Sequence, residues 1–287
     1  MRRIALATSE EYPKLTSDDQ VLLQPLADRG IHAEPAVWSD PAYDWASCDM
    51  VVIRSCWDYH LHISEFLRWI ESLEARHVQV WNPPATIRWN ADKTYLRELE
   101  AKGISIVPTL WFEPGPIISL AEELQEAGWE RAVIKPRVSA TAHRTKLIKT
   151  DQVEEAQSLF DDLRSGPGVM VQKFMDAIVS EGEWSLMFFN GEFNHAVLKT
   201  PKAGDFRVQH DFGGKERVAT PPAFVLQAAG RAVRAANETI YARVDGVVGE
   251  NQFFLMELEL IEPALFLNAS PGAAERFARS IAKKITA

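Results

Sequence analysis

A parallel α/β unit followed by α+β units built on antiparallel sheets is the fold class that these 287 residues predict. Three observations carry it. Across residues 1–85, short apolar runs alternate with segments of helical periodicity, the pattern of parallel strands joined by crossover helices. Further on, two strand-like runs flank Asn190-Gly191, a dipeptide whose tolerance of left-handed backbone marks a two-residue hairpin. Near the C-terminal end, the apolar run FFLMELELIE at 253–262 follows another strand-like segment across Gly249, which predicts an antiparallel pair.

Taken in order, residues 3–8 form a short apolar run, and 18–29 follow with Val21, Leu22 and Leu26 at helical spacing before Gly30, a helix-terminating residue. Residues 32–38 and the β-branched run 49–55 (DMVVIRS) read as strands, the second of the buried type. Ile63, Phe66, Leu67, Ile70 and Leu73 mark an amphipathic helix, and 78–81 returns to a strand. Asn82-Pro83-Pro84 reads as a linker that closes a first domain at 1–85. A second, 86–174, is expected to hold a helix at 93–102, strands at 104–109, 132–135 and 169–174, and helices at 119–127 and 152–163. A third, 175–287, holds the hairpin of 184–189 with 192–198, an Ala-rich helix at 221–241, and the final pair, 243–248 with 252–261.

Composition is that of an ordinary globular protein, with 46% hydrophobic and 25% charged residues. A formal net charge of -9 argues against nucleic acid or an anionic membrane as the main partner. Cys48 and Cys56 lack metal-type CxxC spacing, and a reduced cytoplasmic setting is the simplest account of so few cysteines. The N-terminal apolar run is too short for a signal peptide, and no stretch approaches the roughly 18 apolar residues of a membrane span.

The run 253–262 is the most informative segment. Alternation on a regular strand puts Phe253, Leu255, Glu257, Glu259 and Ile261 on one face. Glu257 and Glu259 then sit side by side in an apolar element, where they repel and each loses hydration. Either they lie on an edge strand facing water or pairing with Arg or Lys, or a divalent cation neutralises them. Oxygen-only ligands at this spacing suit Mg2+, which is often shared with nucleotide phosphates. Asp245 lies on the expected partner strand and adds a third carboxylate, enough for two Mg2+ ions.

Other candidates are individually weaker. Lys135 ends an apolar strand (AVIKP) and either snorkels to the surface or faces an anionic ligand. Lys93 lies at a helix start where a solvated face is the favoured reading. After Lys135, Ser139, Ala140, Thr141 and Ala142 are small enough to let backbone N–H groups approach phosphate, although this loop has no glycine. Gln172, Lys173, Phe174 and Met175 follow a strand, either as a plain connector or as an extended segment that reads an adenine edge. Glu183, or Glu181, could accept from ribose hydroxyls. Lys199, Arg207 and Lys215 with Gly213 and Gly214 make a basic, glycine-containing loop in an acidic protein, a plausible anion site. Arg54, Ser55, Trp57 and Asp58 sit at a strand's C-terminal end, where α/β ligands bind: Arg54 could clamp a carboxylate and Asp58 an amine, with a surface ion pair as the alternative.

The order of Lys93, Lys135, the 172–175 segment, Glu183, Lys199, Arg207, Asp245, Glu257 and Glu259 resembles the ATP-grasp superfamily over roughly 87–285. The strings VVIRSCWDY, GDFRVQ and MELELIEPALFL look closest to a glutathione-synthetase-like branch that contains a cycloserine-forming cyclo-ligase. The resemblance implies a nucleotide held between two antiparallel-sheet subdomains and a preceding α/β domain. By the same resemblance, Lys93 and Lys135 touch phosphates, Gln172, Lys173, Phe174 and Met175 bind adenine, and Glu183 binds ribose. Lys199 and Arg207 would be catalytic. Asp245, Glu257 and Glu259 would hold Mg2+, or Mn2+. Glu259 stands where the family pattern Glu-x-Asn has its asparagine, and Ser185 stands where a further basic residue is usual. The implied activity is ATP-dependent ligation of small-molecule carboxylate and amine substrates through an acyl phosphate, in a homodimer. A small-molecule kinase and a nucleotide sensor without turnover are the alternatives.

Overall fold

The computed structural model describes residues 2–202, 204, 205, 207, 208 and 213–285. Strand β1 (Arg2–Thr8) leads through α1 (Ser17–Gln20) and α2 (Leu23–Ala27) to β2 (Ile31–Val37), then to β3 (Met50–Ser55), α3 (Ile63–Ala75) and β4 (Gln79–Trp81). The four strands make a parallel sheet in the order β2-β1-β3-β4. Its faces separate by residue parity. Ile4, Leu6, Met50 and Val52 enter one core with Leu22 and Leu26, whereas Ala5, Ala7, Val51 and Ile53 enter another with Phe66, Ile70 and Leu73 of α3. Uninterrupted apolar runs are thus explained by helices covering both faces. The helix expected at 18–29 is two short ones, because Pro25 lacks the N–H that a continuous helix would need there.

The expected linker opens directly into α4 (Pro84–Asn90), where proline sits in the first turn and forfeits no intrahelical bond. Then come α5 (Tyr95–Ala101), β5 (Thr109–Phe112), α6 (Leu120–Ala127), β6 (Arg131–Pro136), β7 (Lys146–Lys149), α7 (Glu154–Ser165) and β8 (Val169–Lys173). An antiparallel sheet in the order β5-β8-β6-β7 packs on α6 and α7 through Leu120, Leu124, Phe160 and Leu163.

The remainder comprises α8 (Ala177–Ser180), β9 (Glu183–Phe189), β10 (Glu192–Thr200), β11 (Lys215–Val218), α9 (Ala223–Ala235), β12 (Tyr241–Gly249), β13 (Gln252–Glu259) and α10 (Ala273–Ile285). A second antiparallel sheet runs β11-β10-β9-β12-β13. Asn190 and Gly191 adopt φ of 50° and 77°, the left-handed turn that the β9–β10 hairpin requires. The strand expected at 104–109 starts only at Thr109. Residues 105–107 instead line the outer edge of β13, with Val107 N donating to Leu255 O at 3.0 Å and Leu255 N to Ser105 O at 2.9 Å. Met187, Phe189 and Tyr241 of this sheet, with Phe277 of α10, complete the core that begins with Ile4 and Leu6, so the first and last units share an interior. Among the described residues, no helix is long and apolar enough to cross a membrane.

Candidate functional site

A cavity of about 570 Å3 is lined by residues of both antiparallel sheets and by segments of the N-terminal unit outside its parallel sheet. Its most acidic wall comes from β12 and β13, and a bulge aims it. Asp245 pairs with Glu257 and Arg243 with Glu259, but the next pair along is Gly246 with Leu255, which leaves Met256 as the extra residue. An extra residue inverts strand parity. Phe253 and Leu255 therefore enter the core beneath α9 together with Leu258 and Leu260, while Met256, Glu257 and Glu259 line the cavity. The regular alternation expected from sequence, with Phe253, Leu255, Glu257 and Glu259 on one face, is corrected accordingly. The structure thereby avoids placing carboxylates on the same face as phenylalanine.

The strand's outer edge is pinned by side chains. Asn90 Nδ2 donates to Leu258 O at 2.7 Å and its Oδ1 accepts from Leu260 N at 2.9 Å. Tyr95 Oη accepts from Leu258 N at 3.0 Å, and Asn82 Nδ2 donates to Leu260 O at 2.7 Å. These contacts fix the backbone on either side of Glu259.

Arg243, unmarked by the sequence reading, holds two of the three acids. Its Nη2 donates to Asp245 Oδ2 at 2.8 Å and also pairs with Glu259. Asp245 additionally accepts from the Ser185 hydroxyl and lies 3.8 Å from Lys199 Nζ. Burial alone would raise the Asp245 carboxyl, but Arg243 and Lys199 outweigh it and hold it at about 2. Burial likewise raises Glu257, and Lys93 and Lys135 reverse it to a net lowering. Glu259 stays well above the usual range, because burial and the neighbouring acids exceed what Arg243 returns. A signal for Arg243 did exist: it is two residues before Asp245, hence on the same strand face.

Opposite these acids stand the lysines. Lys93 Nζ donates to Ser139 O at 2.6 Å and lies 3.8 Å from Glu257 Oε1, tying the loop after β6 to β13. Lys135 has no ion-pair or hydrogen-bond partner for its ammonium among the described residues, and burial lowers its pKa. That loop brings Ser139, Ala140, Thr141 and Ala142 to the cavity with Thr141, Ala142 and Arg144 in left-handed backbone, a conformation usually left to glycine. Gln172, Lys173, Phe174 and Met175 form another wall, with Gln172 Nε2 donating to Thr109 Oγ1 at 3.2 Å. Glu183 also lines the cavity, paired with Lys199 Nζ at 2.5 Å. Arg207 reaches the lining while its Nη2 donates to Asp205 Oδ2 at 2.8 Å.

Five expected substrate residues are placed elsewhere. Arg54 is fully buried behind the cavity wall, its Nε donating to Asp19 Oδ1 at 2.8 Å and its Nη2 to Pro263 O at 2.8 Å. The Ser55 hydroxyl donates to Asp19 Oδ2 at 2.5 Å. Asp58 accepts from Trp38 Nε1 at 2.8 Å. Gly213 and Gly214 precede β11 without lining the cavity. Sequence position located the correct strand end, but side-chain direction sent Arg54 and Ser55 inward to a buried acid that periodicity could not reveal. The N-terminal unit instead contributes Tyr12, Thr16, Trp57 and Tyr59, and Glu262 joins them from the segment after β13.

The donor type suits a hard divalent cation: the three carboxylates borne by this strand pair offer oxygen atoms only. In the arrangement described, Arg243 supplies the positive charge between Asp245 and Glu259, and no group of three metal-binding side chains is assembled among the described residues. Charge balance decides the fit. Six basic and six acidic residues line the cavity, so its walls are neutral as a set, and a polyphosphate would enter most favourably with its own divalent cation.

Residues 4–82 match the family model described as the N-terminal domain of the D-cycloserine synthetase DcsG. The cycloserine biosynthesis protein DcsG of Streptomyces lavendulae is 28% identical over 299 residues, covering 98% of each chain. The crystal structure of D-cycloserine synthetase DcsG superposes with a TM-score of 0.89 at 27% identity, covering 99% of both chains. A D-alanine–D-alanine ligase from Bacillus anthracis gives 0.73 at 17% identity, covering 100% of this chain and 98% of that one. A RimK domain ATP-grasp protein from Sphaerobacter thermophilus gives 0.72 at 16%, covering 99% of this chain and all of that one. This chain has the fold of the ATP-grasp ligases. In this fold the cavity lies between the two antiparallel sheets beside loops of the N-terminal unit, and the strand pair carrying Asp245, Glu257 and Glu259 forms one of its walls.

Proposed function

We propose that this protein of ATP-grasp fold is an ADP-forming carboxylate–amine ligase or cyclo-ligase acting on a small amino-acid-like substrate. The observation that carries the reading is the single cavity in which the β12–β13 carboxylates face Lys93, Lys135, Lys199, Arg207 and Arg243, beside the extended segment 172–175. The likeness in sequence and fold to DcsG supports it over the whole length of the chain. Three units, 1–85, 86–174 and 175–287, would frame the nucleotide.

In this reading Gln172, Lys173, Phe174 and Met175 hold the base, Glu183 the ribose, and Lys93 and Lys135 the phosphates. Lys135 is the most available of these, since its ammonium has no direct ion-pair or hydrogen-bond partner among the described residues, whereas Lys93 donates to Ser139 O. Asp245, Glu257 and Glu259 hold Mg2+, as two ions or with Mn2+ in its place, and the metal neutralises phosphate charge when bound. A carboxylate resists nucleophilic attack because a second negative charge would build on it. Transfer of the γ-phosphoryl group to one carboxylate oxygen gives an acyl phosphate, and nitrogen attack on the acyl carbon then expels phosphate. Arg243, Lys199 and Arg207 stabilise the oxygen charge that develops in both steps. Two buried free thiols, Cys48 and Cys56, are compatible with a reduced cytoplasmic setting.

The test is ADP release in the presence of Mg2+ and pools of amino acids and related acids, with mass spectrometry of products and hydroxylamine as trap. Hydroxamate formation supports the ligase. ADP release with a phosphorylated product and no hydroxamate supports a kinase. ADP release absent from every pool supports a sensor, a reading favoured by Arg243 already occupying Asp245 and Glu259.

A further inference from the structure

Glu262 stands apart from the other acids of the cavity wall. Glu183, Asp245, Glu257 and Glu259 each have a lysine or arginine within ion-pair distance, and Glu216 is solvent-exposed. Glu262 faces the cavity and has no ion-pair partner among the described residues, its carboxylate taking a hydrogen bond from its own amide. Burial pushes the group up to about 8 even with Lys93 and Arg243 opposing it, the behaviour of an acid whose counterion is missing.

Its position is heavily constrained. Five consecutive carbonyls accept from buried or half-buried side chains: Leu260 O from Asn82 Nδ2 at 2.7 Å, Ile261 O from Tyr241 Oη at 2.7 Å, Glu262 O from Trp57 Nε1 at 3.0 Å, Pro263 O from Arg54 Nη2 at 2.8 Å, and Ala264 O from Arg243 Nη1 at 3.1 Å. An irregular segment is thereby held as firmly as a strand, and it carries one charged side chain into the cavity. Around that side chain the N-terminal unit supplies aromatic rings: Trp57 and Tyr12 meet edge to face at 5.0 Å, and Tyr59 also lines the wall. An acid beside aromatic faces is the chemistry that receives an ammonium group.

We propose that Glu262 recognises a protonated primary amine of the substrate, with Trp57, Tyr12 and Tyr59 as the apolar walls of that subsite. This rests on the ligase reading and adds to it the group that the substrate must carry. A carboxylate is activated near Arg243 and Lys199, while an amine on the same molecule is held by Glu262.

The experiment is calorimetry on the full chain carrying ADP and Mg2+, titrated with D- and L-alanine and D- and L-serine, each against its hydroxy acid counterpart, lactate or glycerate. The wild type is expected to bind at least one amine about 30-fold more tightly than its counterpart, the scale of a charge-assisted hydrogen bond. E262Q should reduce that preference to about threefold or less with ADP affinity retained, and E262D should restore part of it. A wild type that binds ADP but prefers no amine, or an E262Q variant that keeps the preference, overturns the assignment. A wild type that does not bind ADP sinks the ligase reading itself, and this one with it.

Discussion

Arg54 and Arg243 are both arginines that neutralise acids inside the protein, yet they belong to different kinds of region. Arg54 lies in a sealed knot with Asp19 and Ser55, its guanidinium 5.1 Å from the centre of the Tyr241 ring and 5.6 Å from that of Phe277. It joins the parallel sheet, the β12 strand and α10. Arg243 lies on the cavity wall, its acids Asp245 and Glu259 both lining the same space. A sealed pair can only hold the fold together, whereas a pair open to a cavity can exchange partners with a ligand. Burial of the acid's surroundings, rather than the presence of an ion pair, separates scaffold from chemistry.

The largest expected contrast is catalytic. Glu257→Gln should lower kcat/KM about a thousandfold while shifting the melting temperature little, because the amide fits the same space and loses only the charge. Arg243→Met should lower kcat by about a hundredfold or more, with modest destabilisation since Lys199 remains 3.8 Å from Asp245. Arg54→Met should behave in the opposite way. It leaves Asp19 buried without its cation and should cost about 3–5 kcal/mol of stability by denaturant unfolding, with kcat of the folded fraction largely preserved. Equal stability losses in the two arginine variants would dissolve the distinction.

Acid should act next, at a third location. His60 of the N-terminal unit packs against His143 of the loop after β6, ring centres 5.2 Å apart. Burial, then the charge of His143, lowers His60 to about 4, and burial lowers His195 to about 4. Each ring binds a proton more readily unfolded than folded, so stability is full above about pH 6.5 and falls as pH drops toward 4. Melting temperature measured across that window should decline, and His60→Asn should decline less. Asp245 adds nothing until lower pH, because its stabilisation is lost only as pH falls from about 4 toward 2. The smallest effect is expected for Asp176→Asn, which removes an exposed pair with Arg131 and should change stability by less than about 1 kcal/mol.

Much of this contrast was legible before the structure. β-Branched runs and helical spacing located the parallel sheet, Asn190-Gly191 located the hairpin, and the pairing of 243–248 with the following strand follows from two apolar runs around a turn. Glu257, Glu259 and Asp245 were visible as acids where acids are costly, and the structure brings them together on one wall. What stayed hidden depends on geometry that composition does not encode. The bulge at Met256 inverts the parity of a strand by one residue, and the glycine that accompanies it, Gly246, lies on the partner strand rather than in the run itself. Arg54 and Asp19 are 35 positions apart, and only the packing of α1 on β3 makes them partners. The loop after Lys135 reaches left-handed backbone at Thr141, Ala142 and Arg144 without glycine, so its turns left no signature. Strands β7 and β11 and helix α10 escaped notice because short or charged segments gain their structure from the sheets and cores they join.

The central claim is that the carboxylates of β12 and β13 hold the divalent cation of a bound nucleotide. Anomalous diffraction from crystals grown with Mn2+ and a non-hydrolysable ATP analogue tests it directly. The prediction is a manganese peak bound by Asp245, Glu257 and Glu259, with Arg243 released from Glu259. Nucleotide in the cavity with no metal at these side chains, and Arg243 still gripping Asp245 and Glu259, would contradict it.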